Sequence, residues 1–362
     1  MIKVENLCKH YDGKELLGDI NFNVGKREIF AIIGPSGAGK TTLLRLLDLL
    51  DTPTEGRIIL DGLEATEKER LELRRRMAMV FQGAPMLNAS VFDNVAYGLK
   101  IRKVAADEMK NRVKTALELV DLEGYEGRNA KTLSGGEAQR VAFAMATVIQ
   151  PETLLMDEPT ANLDPINEAM VEEIIKRING LGITIVLATH KQAEAMRLAH
   201  RVAVLNKGRI EQIGTPEEIF HKPRTLFVAG FVGTKNIFKG TIVESDEAGN
   251  RSVIDFKGLR IELPYRGVKA GAEVHFCIRP EEIMLLREDR PITSRHPNIF
   301  KSRITDVHPM GSAMFRLGVK VNDDVYFVVD VPRHVMSKMK LERGKEPRIS
   351  LKASSCHVIE GS

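Results

Sequence analysis

Over roughly the first 220 residues, short runs of aliphatic and β-branched residues alternate with longer stretches in which apolar positions recur every three or four residues. The short runs predict strands at 28–33, 57–60, 77–81, 153–156, 183–188 and 202–205. The helical periodicity falls at 41–50, 105–120, 137–149, 167–179 and 191–199. Strands separated by helices need crossover connections, so the expected fold class here is α/β, on a largely parallel sheet. Asp61-Gly62 and Asn206-Lys207-Gly208 add hairpin turns, and Thr215-Pro216-Glu217-Glu218 marks a helix start.

Beyond about residue 235 the pattern shortens to strands at 237–243, 252–256, 260–263, 274–278, 300–305 and 325–331. This stretch reads as an all-β, OB-like barrel domain. It also repeats. Asn236-Ile237-Phe238-Lys239 recurs as Asn298-Ile299-Phe300-Lys301, and a Gly-x-Glu opening a β run occurs at Gly271 and Gly344. The expected domains are therefore 1–235 and 236–362, the second a tandem of related units at about 236–290 and 297–360.

Composition narrows the classes. The 362 residues are 43% hydrophobic, enough for large cores, and 53 Lys+Arg against 49 Asp+Glu leave only +4. No basic block is present, which argues against a nucleic-acid arm. No apolar run reaches the ~18 to 20 residues that span a bilayer, and the first residues lack the apolar core of a signal peptide. Cys8, Cys277 and Cys356 have no metal-ligand spacing and fit a reducing cytoplasm.

Candidate chemistry sits in the α/β part. Gly34-Pro35-Ser36-Gly37-Ala38-Gly39-Lys40-Thr41 fits the G-x-x-x-x-G-K-[ST] pattern between a predicted strand and a leucine-rich helix. Its glycines let backbone N–H groups cradle phosphate oxygens at a helix N-terminus. Lys40 would neutralise the β and γ phosphates, and the Thr41 hydroxyl would ligate Mg²⁺. Asp157 and Glu158 end an apolar strand: the first can hold Mg²⁺, the second can accept a proton from an attacking water. In Leu133-Ser134-Gly135-Gly136-Glu137 a capping box accounts for Ser134 and Glu137 but not for the glycines. Bare backbone there suits close approach to a second phosphate-bearing surface.

In their order, these motifs resemble the ATP-binding subunit of ABC transporters over residues 1 to about 235, adding Gln82, the Leu163-Asp164 loop and His190. The resemblance implies a P-loop ABC ATPase fold binding ATP and Mg²⁺. It places Tyr11 on adenine, adds Thr42 to the phosphate loop, and sets Gln82 beside Mg²⁺ and the attacking water. It has His190 hold the γ-phosphate and orient Glu158. Ser134 and Gly136 would contact the γ-phosphate bound by the opposite subunit, so a homodimer is implied, and Gly135 and Asp164 are counted with them among the ATP-binding residues. Glu137 stands where Gln is commonest in the family.

Partners implied are integral-membrane permease subunits, contacted through the helical stretch 85–100, and a substrate-binding protein working through the complex. The location implied is the cytoplasmic face of the membrane. Arg279-Pro280-Glu281 and Leu351-Lys352-Ala353-Ser354 resemble the accessory TOBE barrel of importer ATPases, and the wording of 349–359 resembles its molybdate-binding type. The expectation is thus an importer ATPase for an oxyanion such as molybdate or tungstate, with a possible oxyanion ligand at the C-terminal domain. Sulfate, ferric iron, polyamine or sugar are the alternatives. A soluble ABC ATPase acting on nucleic acid is disfavoured, because 42–132 holds no long coiled coil and the barrel lacks interleaved aromatic and basic residues.

Overall fold

The computed structural model describes residues 1–83, 85–265, 267–287 and 298–359. The chain divides into two compact units, Met1–Pro216 and Glu217–Ser362.

The first unit opens with β1 (Ile2–Tyr11), β2 (Lys14–Val24), β3 (Ile29–Ile33), α1 (Lys40–Leu47), β4 (Glu55–Leu60), β5 (Leu63–Glu64), α2 (Arg70–Arg75) and β6 (Met77–Val80). Helices α3 (Val91–Ile101), α4 (Ala106–Leu119) and α5 (Gly135–Thr147) precede β7 (Thr153–Asp157), α6 (Pro165–Gly180) and β8 (Thr184–Thr189). It closes with α7 (Gln192–Leu198), β9 (Arg201–Asn206) and β10 (Arg209–Gly214). One sheet runs β10-β9-β3-β8-β7-β6, parallel except at β10, and an antiparallel sheet runs β2-β1-β4-β5.

The central strands are apolar between their end residues because both faces are covered. In β7 and β8, Leu154, Met156, Ile185 and Leu187 join the helical α3–α6 side. Their neighbours Leu155, Val186 and Ala188 join the side built on α1 and the antiparallel sheet. The parallel pairing sets the carboxyl ends of β3, β8, β7 and β6 along one edge.

Several expectations shift. Helix α1 starts at Lys40 and ends at Leu47. The stretch 85–100 is helical only from Val91, where the Ser90 hydroxyl accepts from the Asp93 N–H. Strands β1 and β2 escaped the pattern because register shifts interrupt their pairing between Val4 and His10, which scrambles the two-residue alternation.

The second unit carries α8 (Pro216–His221, its proline at the boundary), α9 (Leu226–Phe231), β11 (Asn236–Asp246), β12 (Arg251–Phe256), β13 (Leu259–Leu263), β14 (Glu273–Ile278) and β15 (Ile283–Leu286). Then come β16 (Asn298–Lys301), β17 (Arg303–Met310), β18 (Met314–Asn322), β19 (Val325–Pro332), α10 (Arg333–Met339), β20 (Arg348–Leu351) and β21 (His357–Ile359). The predicted single strand at 300–305 is broken at Ser302, whose N–H and hydroxyl both donate to the Pro347 carbonyl. Three sheets, β13-β12-β11-β14-β21, β15-β20-β16 and β17-β18-β19, surround one apolar core. The residues 288–297 between the two predicted repeats lie outside the described residues.

The last strands are exchanged. β15 of the first half pairs with β20 of the second, and β21 of the second half pairs with β14 of the first. The repeated asparagines make the matching exchange. Asn236 Nδ2 donates to the Val328 carbonyl at 2.8 Å and its Oδ1 accepts from the Val328 N–H at 2.7 Å. Asn298 does the same to Glu262, at 2.7 Å in both directions. Among the described residues no helix is long and apolar enough to cross a membrane.

Candidate nucleotide site

The loop after β3 needs its glycines for concrete reasons. Gly37 and Gly39 lie at φ 78° and 104°, in the left-handed region. A Cβ on Gly34 would collide with the Leu205 carbonyl of the neighbouring strand β9, and one on Gly39 would meet Leu17 Cδ2 at 2.7 Å. Gly39 caps α1, so Lys40 and Thr41 are the first helical residues and their N–H groups are free for an anion. Lys40 is buried, its Nζ donating to the Gly34 and Pro35 carbonyls at 2.9 and 3.1 Å and lying 3.8 Å from Glu158 Oε1.

Across the sheet edge, Asp157 ends β7 with its carboxyl buried and Oδ1 without a hydrogen-bond partner among the described residues. Burial raises its pKa. The Thr41 hydroxyl bonded to it opposes that shift, Glu158 reinforces it, and Lys40 opposes it. A buried carboxylate oxygen with an open lone pair beside a hydroxyl is a donor set that suits a hard divalent cation.

Glu158 is held in the left-handed region at φ 48°, a conformation that costs a non-glycine residue about 1 kcal/mol or more. Its N–H donates to the Ala188 carbonyl at 2.8 Å, and Oε2 lies 2.7 Å from His190 Nδ1 and 3.4 Å from the Thr189 hydroxyl. Contacts thus join Lys40, Thr41, Asp157, Glu158 and His190. Thr189 belongs with them; it escaped the sequence reading because nothing in a strand's last apolar run marks its buried hydroxyl. Gln82, exposed just beyond β6, stands at the same carboxyl edge of the sheet.

The other candidates are elsewhere. Tyr11 is 65% exposed, at the end of β1 in the antiparallel sheet. Ser134 caps α5, and the capping box with Glu137 is formed. Glu137 uses both oxygens as acceptors, from the Ser134 N–H at 2.8 Å and the Tyr125 hydroxyl at 2.9 Å, so a carboxylate serves where an amide was expected. Gly136 is explained by packing, since a Cβ would collide with Asn167 Oδ1. Gly135 is exposed with open space around it, so its own unit gives no reason for glycine. Asp164 caps α6 through the Ile166 and Asn167 N–H groups and accepts from Asn167 Nδ2 at 2.5 Å, which places it beside Gly136.

Cavity size alone does not mark this site. A cleft of about 770 Å³ lies at the opposite edge, by the amino ends of β7 and β8 at Thr153 and Thr184.

Comparisons with known proteins agree with this geometry. The ABC transporter family model matches residues 17–161. The spermidine/putrescine import ATP-binding protein PotA of Clostridium novyi is 39% identical over 292 residues, 80% of this chain and 82% of that protein. The putrescine transport ATP-binding protein PotG of Escherichia coli is 38% identical over 293 residues, 80% and 77% of the two chains. Among solved structures, cbiO1 of Clostridium perfringens, part of the ABC transporter complex cbiONQ, matches with TM-score 0.58 and 34% identity over 60% of this chain and 89% of that one. A dimeric ATP-binding cassette in a post-hydrolysis state, bound to ADP and Pi, matches with TM-score 0.55 and 30% identity over 60% and 99%. The chain belongs to the ABC transporter family, as an ATPase whose hydrolysis of ATP is coupled to transport.

Proposed function

We propose that this chain powers a polyamine importer, as a homodimer docked on membrane permease subunits at the cytoplasmic face and served by a substrate-binding protein. This moves away from the oxyanion expectation, because the relatives are named for spermidine and putrescine. The carrying observation is the length of their match: 292 residues exceed the 216 of the first unit, so the likeness runs into the second. The second unit is then an accessory TOBE-like domain without an assigned oxyanion.

In the catalytic step, the phosphate loop and Lys40 bind the triphosphate, Lys40 turning from its own loop carbonyls to the β and γ oxygens. Asp157 and the Thr41 hydroxyl would hold Mg²⁺, with Gln82 beside it; that ion supplies screening of phosphate charge. Glu158 takes the proton of the attacking water at its carboxylate, and His190 keeps that carboxylate aimed through the 2.7 Å contact. Ser134, exposed Gly135 and Gly136 face the nucleotide of the partner subunit, which excludes water when the dimer closes. Tyr11 stacks on the adenine.

Deleting the chain in its host and measuring uptake of labelled spermidine, putrescine and molybdate tests the substrate. Loss of polyamine uptake alone supports the reading. Loss of molybdate uptake instead returns the oxyanion, and no change in any of the three overturns the importer role for these substrates.

A further inference from the structure

A group that the catalytic reading does not use sits directly behind Glu158. Thr189 is fully buried at the end of β8; its hydroxyl faces Glu158 Oε2 at 3.4 Å and accepts from the Lys191 N–H at 3.0 Å. Helix α7 brings Glu194 to Thr189 and to Thr160, which lies two residues past Glu158. Glu194 has no exposed surface, and neither its oxygens nor the Thr160 hydroxyl makes an aligned hydrogen bond among the described residues.

The surroundings favour the uncharged carboxyl. Burial raises its pKa, and the Thr189 and Thr160 hydroxyls offset only part of that. The nearby Lys191 ammonium is already spent on the Thr160 carbonyl at 3.0 Å and on Glu168 at 2.6 Å. Glu172, held by Arg197, adds negative charge nearby.

A threonine hydroxyl has a single hydrogen to donate. An ionised Glu194 would compete with Glu158 for it. A neutral Glu194 instead donates to Thr189 Oγ1, leaving that hydrogen for Glu158, and accepts from Thr160. We propose that Glu194 is a positioning residue for ATP hydrolysis, which as a neutral acid aims the Thr189 hydroxyl at Glu158 and ties the segment after Glu158 to the His190 loop. This rests on the reading of Glu158 as the acceptor of the water's proton.

The test is steady-state ATP turnover of the full-length chain, with KM and melting temperature, for E194Q, E194L, T189V, the double variant and E158Q. E194Q supplies both a donor and an acceptor, so it keeps at least about a third of wild-type kcat. E194L loses about tenfold in kcat with KM within about twofold and no drop in melting temperature, since it removes a buried polar group. T189V loses a similar factor, and E194L on that background costs less than about twofold more, because Glu194 acts through Thr189. Wild-type kcat in E194L, full multiplication of the two losses, or equal loss in E194Q and E194L with lowered melting temperature would each overturn the proposal. E158Q separates the levels: wild-type turnover in E158Q overturns the catalytic reading itself, whereas an inactive E158Q beside an active E194L overturns only the role of Glu194.

Discussion

The two units treat buried ionisable groups differently. Among the described residues every buried side chain of the Lys, Arg, Asp or Glu type lies in the first unit: Lys40, Asp48, Arg140, Asp157, Glu172 and Glu194. Asp157 and Glu194 leave carboxylate oxygens unbonded, and Glu158 adds a strained backbone. In the second unit the buried asparagines Asn236 and Asn298 are neutral and bonded at both ends, and ion pairs such as Arg251–Glu262 stay at the surface. An incompletely bonded buried carboxyl is costly and persists where chemistry uses it; a satisfied neutral amide fixes architecture.

That contrast can be broken by experiment, and the largest effect belongs to Glu158. E158Q should lower ATP turnover by about 10² to 10⁴-fold while ATP binding persists, with the ATP-bound dimer trapped in size-exclusion chromatography. A variant that stays monomeric with ATP would show that closure does not depend on two nucleotides at the interface.

Next come the asparagine clamps. N236A and N298A each strand a backbone N–H and a carbonyl, so each should cost the second unit about 2–4 kcal/mol in urea unfolding. N298A should cost the more of the two, because Asn298 Nδ2 also donates to the Leu351 carbonyl at 3.1 Å, beyond the bidentate contact that both residues make across the repeat. ATP turnover at permissive temperature should not change. Equal losses would mean that the bond to the Leu351 carbonyl adds nothing to the clamp.

Asp48 offers a pH-dependent test. Burial pushes its carboxyl from 3.8 up to about 6, with Arg74 opposing. The folded state therefore binds this proton more tightly than the unfolded state. The group costs nothing below about pH 4 and destabilises increasingly as pH rises through its folded pKa. D48N should stabilise the first unit by about 1–3 kcal/mol at pH 7.5 and by almost nothing at pH 4, read from denaturant midpoints. A gain independent of pH would show that ionisation is not the cause.

The smallest effect is at Gly135. G135A meets open space and adds a better helix former, so it should raise stability by about 0.5–1 kcal/mol in thermal melts. On the proposed reading, in which the bare backbone serves the partner's nucleotide, the same variant should lower ATP turnover. Unchanged turnover would remove Gly135 from the site.

The phosphate loop and the Asp157-Glu158 pair were legible because their chemistry is contiguous: a strand, a turn and a helix N-terminus position all the atoms from one short segment. The repeated Asn-Ile-Phe-Lys segments were legible for the same reason. Their partners Val328 and Glu262 were not, since each lies in the other half of the repeat. Gln82 and His190 were found by motif order, not by local physics. Glu137 showed the limit of motif wording, because the capping box needs only an acceptor that either carboxylate or amide provides.

By itself, the sequence determined the local conformations that carry phosphate chemistry, the alternation that makes a parallel sheet, and the internal repeat, all set by steric and periodic rules acting over a few residues. Only the tertiary structure decided which strand ends share an edge, that terminal strands are exchanged between the two halves, and that Thr189 and Glu194 stand behind Glu158. Those relations join residues 31 and 36 positions from Glu158 or further apart still, so burial and the pairing of distant strands set them, and no short-range pattern records them.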